Sequence, residues 1–125
     1  MTRVLLFAAA AEALTGAALM AAPSVVGRLL LGADLSGVAV PIARVTGIAL
    51  VALGVASWPG GTGVRALGGM LTYSALVTLY LAYLGMGGMW VGSLLWPAVV
   101  IHAILTFLLA RAWLKGQRNH EEKDK

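Results

Sequence analysis

The sequence predicts an all-α integral membrane protein, four helices in an up-down antiparallel bundle. Three observations carry that prediction. Hydrophobic residues make up 60% of the chain and charged residues 11%, too little polar surface for a water-soluble domain of 125 residues. Leu, Ala, Val and Gly dominate four runs of about 20 residues, the length at which a helix crosses a bilayer. The second and third runs are followed by the turn-forming segments "WPGGTG" and "GMGGMWVGS". Connections this short favour antiparallel neighbours.

The first span covers about Val4 to Ala22. Arg3 ahead of the run and "ALMAA" near its end give it the outline of a secretory signal. Glu12 in mid-run and Pro23 just after the cleavage-like segment argue for a retained helix instead. The next segment, "PSVVGRLLLGADLSG", has two readings of equal standing. Pro23 suits a first helical turn, Gly32 suits a stop, and Val25, Val26, Leu29 and Leu30 can share one face, so residues 23–31 read as a short interfacial helix. They read equally as a structured loop. The second span covers about Val38 to Trp58, the third about Leu67 to Met86 and the fourth about Leu95 to Leu114. Residues 1–115 therefore form one membrane domain with no internal repeat. Residues 116–125, "GQRNHEEKDK", are charged without an apolar period and are expected to be a solvated, disordered tail.

The net charge of +4 does not point to nucleic acid, because the basic residues gather at span ends and in the tail. With four spans, both termini share one side of the membrane. That side holds Arg3, Arg65, Arg111, Lys115, Arg118, Lys123 and Lys125, and the other holds Arg28. The excess of Lys and Arg predicts cytoplasmic termini in a bacterial inner membrane. Trp58, Trp90, Trp96 and Trp113 fall near span ends, where indole rings favour the interface. The chain has no cysteine, which excludes disulfides, thiolate metal sites, thiol redox chemistry and covalent c-type haem.

Each span carries a polar exception. Glu12, Arg44, Tyr80 and His102 come from the four spans in order, and a rise of 1.5 Å per residue puts them roughly 9–15 Å below the non-cytoplasmic boundary. Small residues accompany three of them on their helix faces: Ala8, Ala9 and Gly16 with Glu12, Gly47 and Gly54 with Arg44, Ala98 with His102. Such residues mark helix–helix contact in membranes, so the polar groups are expected to point inward. The simplest chemistry for this layer is a Glu12–Arg44 ion pair, with Tyr80 and His102 completing a hydrogen-bonded network. The other arrangement lets Arg44 snorkel to the surface and leaves Glu12 protonated. The layer either fixes helix register and nothing more, or forms a proton-linked or ligand-binding site.

No catalytic constellation stands out, and no enzyme activity is expected. One His and one Glu in the spans cannot build a bis-histidine haem or a di-iron centre, so no metal or other cofactor is expected. Ser74 and Thr78 share a face and are expected to bond to backbone or to pack. Tyr73, Tyr80 and Tyr83 read as packing or interfacial residues. The glycines of "PGGTG" and "GMGG" lack the strand–loop–helix setting of a phosphate loop.

The segments "EALTGAALMAAPSVVGRLLLGADLSG", "RVTGIALVALGVASWPG" and "LLWPAVVIHAILTFLLARAW" together resemble a group of small, uncharacterised four-helix bacterial membrane proteins over nearly the whole chain. More loosely, the four-helix layout, with Arg44 and Gly47 three apart, resembles DoxX-like proteins. Those are associated with membrane redox complexes, including quinone-linked ones. That resemblance implies an accessory membrane subunit and transfers no active-site residue.

The function expected from sequence is a small non-catalytic inner-membrane protein, an accessory or assembly subunit of a larger membrane complex, with a redox complex as one candidate. Its partners would be the bilayer and other membrane subunits, with a homo-oligomer also compatible and nucleic acid excluded. The alternative is a self-contained binder of a lipophilic ligand (a quinone, a lipid or a haem) at the buried polar layer. A small proton-coupled carrier is a weaker third class, because nothing supplies a second gate.

Overall fold

A computed structural model describes residues 2–58 and 63–121. Among these residues all regular structure is helical: α1 (Thr2–Ala21), α2 (Pro23–Leu31), α3 (Ala39–Ala56), α4 (Gly63–Gly87) and α5 (Leu95–Glu121). The helices α1, α3, α4 and α5 are long and apolar enough to cross a membrane. The protein is therefore a multi-pass membrane protein built as a helical bundle.

The closest helix packing is antiparallel, α1 on α3 and α4 on α5. Small residues permit the first contact. A methyl group placed on Gly16 would sit 2.5 Å from the Gly47 carbonyl oxygen, and one on Gly47 would sit 2.6 Å from the Gly16 carbonyl oxygen. Only hydrogen fits at either position. Apolarity cannot drive helices together in lipid, whose tails are equally apolar, so close packing of this kind holds the pair. On α3 the packed stripe is Ala43, Gly47, Leu50 and Gly54, spaced at helical repeat.

The two hairpins are joined most tightly at the end that carries the chain termini. There Leu5, Ala8 and Ala9 of α1 pack with Leu67 and Met70 of α4 and with Leu105, Leu109 and Ala112 of α5. At the opposite end the bridge is different. Residues 23–31, which the sequence left between helix and loop, form α2, with Pro23 in its first turn. Gly32 closes α2 in the left-handed region (φ 74°), and its N–H donates to the Arg28 carbonyl. The loop between α4 and α5 then satisfies the last carbonyls of α2. Gly92 N–H donates to Leu30 C=O at 3.0 Å, and Leu94 N–H donates to Leu29 C=O at 2.8 Å. Helix ends leave four carbonyls unpaired, which is costly near lipid, and these two bonds answer half of them. On the outer side Arg28 Nε donates to Asp34 Oδ1 at 2.8 Å.

Two boundaries differ from expectation. α4 begins at Gly63 rather than near Leu67, and α5 runs on to Glu121 rather than ending near Leu114. Residues 116–121 are thus helical, not a disordered tail, while residues 122–125 lie outside the described residues. A spanning helix already supplies the i−4 carbonyls that the next residues need, so extending it costs no new nucleus. Lys115 and Arg118 are exposed on this extension, where charged side chains that face water carry no desolvation cost. Lack of an apolar period therefore marked the end of the membrane span and not the end of the helix.

Candidate functional site

On α1 the buried positions Leu5, Ala8, Ala9, Glu12 and Gly16 form one stripe at helical spacing. Glu12 lies in that stripe and is 2% exposed. On α5, His102 lies on the face of buried Leu95, Leu105 and Leu109. The two side chains meet across the bundle, with His102 Nδ1 3.9 Å from Glu12 Oε1. That separation is too long for a hydrogen bond, and Nδ1 is buried without any partner. Tyr73 of α4 is the third member. Its ring stands edge-on to His102, with centroids 6.1 Å apart and planes at 73°, a favoured aromatic geometry. Its hydroxyl lies within interaction range of the Glu12 carboxyl.

These three groups look into one cavity of about 480 Å³ between the spans. All five helices contribute to its wall. Val26, Leu29 and Leu30 of α2 close it from one end, and Leu50, Val77 and Leu81 are among its apolar sides. Thr15 and Thr46 also line it, but their hydroxyls donate to the carbonyls of Ala11 and Ile42 one turn back, each at 2.9 Å. Thr106 likewise donates to the His102 carbonyl at 2.7 Å. The threonines have spent their donors on their own helices. The Glu12 carboxyl and the Tyr73 hydroxyl are left to face the space, with the His102 ring beside them and its Nδ1 buried behind the wall.

Of the four residues expected in one layer, the structure brings Glu12 and His102 together and leaves Arg44 and Tyr80 outside. Arg44 is exposed and makes no ion pair with Glu12. The reason is angular. Residues advance about 100° each around a helix, which puts Arg44 on one flank of the packed stripe Ala43–Gly47–Leu50–Gly54 and Thr46 on the other. Thr46 faces the cavity, so Arg44 faces away from it. Tyr80 is 62% exposed. Tyr73 and Tyr80 are two turns apart and flank the buried stripe Leu67, Met70, Ser74 and Leu81 on the same side. Periodicity treats them alike, but neighbouring helices cover the ring only at Tyr73. Sequence reasoning set Tyr73 aside as a packing residue. Its one available signal was its place between Met70 and Ser74, and that did not distinguish it. Of Ser74 and Thr78, expected to bond to backbone or to pack, Ser74 packs with its Oγ buried and without a partner, and Thr78 donates to the Ser74 carbonyl at 2.7 Å.

Among the described residues no three His, Asp or Glu side chains converge on a point that would hold a metal ion. The arrangement can do one thing well, which is to hold an apolar molecule whose head group exchanges hydrogen bonds with a carboxyl, a phenol and an imidazole. Compared with protein-family models, curated proteins and solved structures, the chain matches none of them.

Proposed function

We propose that this protein binds a lipophilic small molecule inside the membrane, in the cavity between its spans, with the ligand's polar head at Glu12, Tyr73 and His102. One observation carries the reading: polar side chains from three helices meet at the wall of one apolar cavity, and no hydrogen bond closes between His102 and Glu12. A cavity of about 480 Å³ falls within the range of roughly 300–1,000 Å³ usual for small-molecule sites. Apolar walls with a few convergent polar groups are also their usual make-up. Groups left unpaired in such a space cost free energy until a ligand or water answers them. A head group with both a donor and an acceptor, as in a quinone–quinol couple, meets the need. The excess of basic residues at the end bearing the termini supports a cytoplasmic position for that end, in a bacterial inner membrane.

The rival reading is an accessory subunit of a larger membrane complex. The outer face of α4 favours it, where Leu76, Leu79 and Tyr83 are 61%, 68% and 68% exposed. Gentle extraction separates the two. The binder reading expects a small particle that carries an extractable lipophile, or that takes up decyl-ubiquinone when purified empty. Ala98, one turn before His102, lines the cavity, so Ala98→Phe should fill the space and abolish uptake without unfolding the bundle. Uptake unchanged in Ala98→Phe, or no uptake of any lipophile by the wild type, overturns the reading. A particle retaining other membrane subunits but no lipophile establishes the rival.

A further inference from the structure

The acidic and basic residues of this chain are unevenly shared. No acidic residue stands between Asp34 and Glu121, a stretch that includes Arg44, Arg65, Arg111, Lys115 and Arg118. Among the described residues the ion pairs are Arg28–Asp34 and His102–Glu12. Arg3, Arg65 and Arg111, all exposed at the end bearing the termini, pair with no carboxylate among the described residues.

A groove lies beside two of them. It runs between α1 and α5 on the outside of the bundle, with a volume of about 410 Å³, and is lined by Val4 and Phe7 on one side and Ile101, Ile104, Leu105 and Leu108 on the other, with Arg3 at its mouth. Leu105 is 4% exposed and lies at the groove's base, whereas Phe7, Ile101 and Ile104 are 62%, 50% and 54% exposed along it. From Ile101 to Leu108 the groove follows α5 for roughly 10 Å at 1.5 Å per residue. One leaflet's hydrocarbon depth is about 15 Å, half of the bilayer core. Arg111 stands one turn beyond Leu108. Its guanidinium lies 5.7 Å from the centre of the Phe107 ring, close enough for a cation–π contact that holds it against the helix. α1 and α5 run antiparallel, so Arg3 and Arg111 come to the same end of the groove.

From this juxtaposition we infer that the α1–α5 groove is a binding site for one anionic phospholipid, with an acyl chain along the groove and the phosphate between Arg3 and Arg111. An apolar channel that runs through about two thirds of a leaflet's depth and ends beside two guanidiniums matches that molecule in shape and charge. Guanidinium groups bind phosphate oxygens as paired donors, and basic sites beside spanning helices recognise anionic head groups. The inference does not depend on the ligand proposed for the inner cavity, which shares no lining residue with the groove.

The test is native mass spectrometry of the full chain in detergent micelles doped equally with phosphatidylglycerol and phosphatidylcholine of the same acyl chains. The wild type should retain one phosphatidylglycerol at least ten-fold more often than phosphatidylcholine. Ile104→Trp, which fills the groove and leaves both arginines, should lose the retained lipid. Arg3→Gln with Arg111→Gln should abolish the preference, while Arg65→Gln, an exposed cation at the same end but outside the groove, should keep it. Inorganic phosphate in millimolar excess should not displace the lipid. Equal retention of both lipids overturns the inference. So does equal loss in Arg65→Gln, which would mean diffuse surface charge, or displacement by phosphate alone, which would mean a simple anion site. All the substituted residues are exposed, and a melting temperature within a few degrees of wild type confirms that each variant is folded.

Discussion

Replacing Glu12 by Met tests the internal logic of the cavity most directly. Were Glu12 half of a buried ion pair with Arg44, removing it would strand the arginine and cost on the order of 3–5 kcal/mol. The structure removes that partner, since Arg44 is exposed on the far flank of α3. What remains is a carboxyl that is 2% exposed, 3.9 Å from an imidazole nitrogen that has no partner of its own. Burying a polar group without full compensation costs about 1–3 kcal/mol on protein scales. Met has nearly the volume of Glu, so the substitution recovers that penalty without opening a cavity. It also forfeits the interaction with the Tyr73 hydroxyl, worth about 1 kcal/mol. No new orphan is made on His102, whose Nδ1 is unpartnered already. The expected net effect is a gain of about 0–2 kcal/mol in stability, together with loss of lipophile binding.

Reversible unfolding by SDS titration in mixed micelles reads the first effect, and uptake of decyl-ubiquinone reads the second. Arg44→Leu is the companion variant and should leave stability unchanged or slightly raised. The pair should behave additively, as sites without shared partners do. A loss above about 3 kcal/mol in Glu12→Met, recovered when Arg44→Leu is added, would refute the reasoning and restore the ion pair. A stabilised variant that still binds the ligand normally would refute the role of Glu12 in the site.

Two further outcomes follow from the packing and the charge pattern. Gly16→Ala or Gly47→Ala should destabilise by about 1–3 kcal/mol, because each new methyl meets a carbonyl of the facing helix, whereas Gly69→Ala, with nothing within 4 Å of its new methyl, should be neutral or gain up to about 1 kcal/mol. Equal effects at all three glycines in SDS unfolding would show that α1 and α3 are not packed this closely. Single cysteines at Gln117 and Gly87, introduced into this cysteine-free chain, should differ towards an impermeant thiol reagent on intact cells. Gly87 should label and Gln117 should be protected, and the reverse pattern would invert the orientation.

The spans and their antiparallel order were legible because lipid permits few solutions. A run of about 20 apolar residues with satisfied backbone bonds must be a helix, and short connections set its direction. The α1–α3 contact was legible for a related reason, since Gly16, Gly47 and Gly54 would each weaken a helix unless a neighbour needed the space. The candidate site was half legible. Glu12 and His102 lie on the small-residue or buried faces of their helices, where depth and direction agree. Arg44 and Tyr80 satisfied the depth criterion and failed on direction. A depth count is one coordinate, and a residue about 90° from the packed stripe can have the right depth and still face outward. Tyr73 was invisible for the converse reason, because its value comes from the Glu12 and His102 side chains of other helices and not from its own neighbours in the chain.

The cavity itself has a cause in how the two hairpins are joined. At the end bearing the termini, side chains from α1, α4 and α5 interdigitate directly, and Leu67, Met70 and Leu109 are 1%, 0% and 0% exposed. At the other end the link passes through α2 and the 88–94 loop, held by two backbone hydrogen bonds and by the apolar side of α2. A nine-residue helix between the hairpins occupies the place where direct helix contact would otherwise close the bundle. Its Val26, Leu29 and Leu30 roof the space and do not fill it. The same short element that satisfies its own carbonyls through the loop therefore keeps the spans apart at the depth of Glu12 and His102. An apolar residue at position 12 would fit the helix and the bilayer better than a carboxyl does. What favours the carboxyl there is the space it faces.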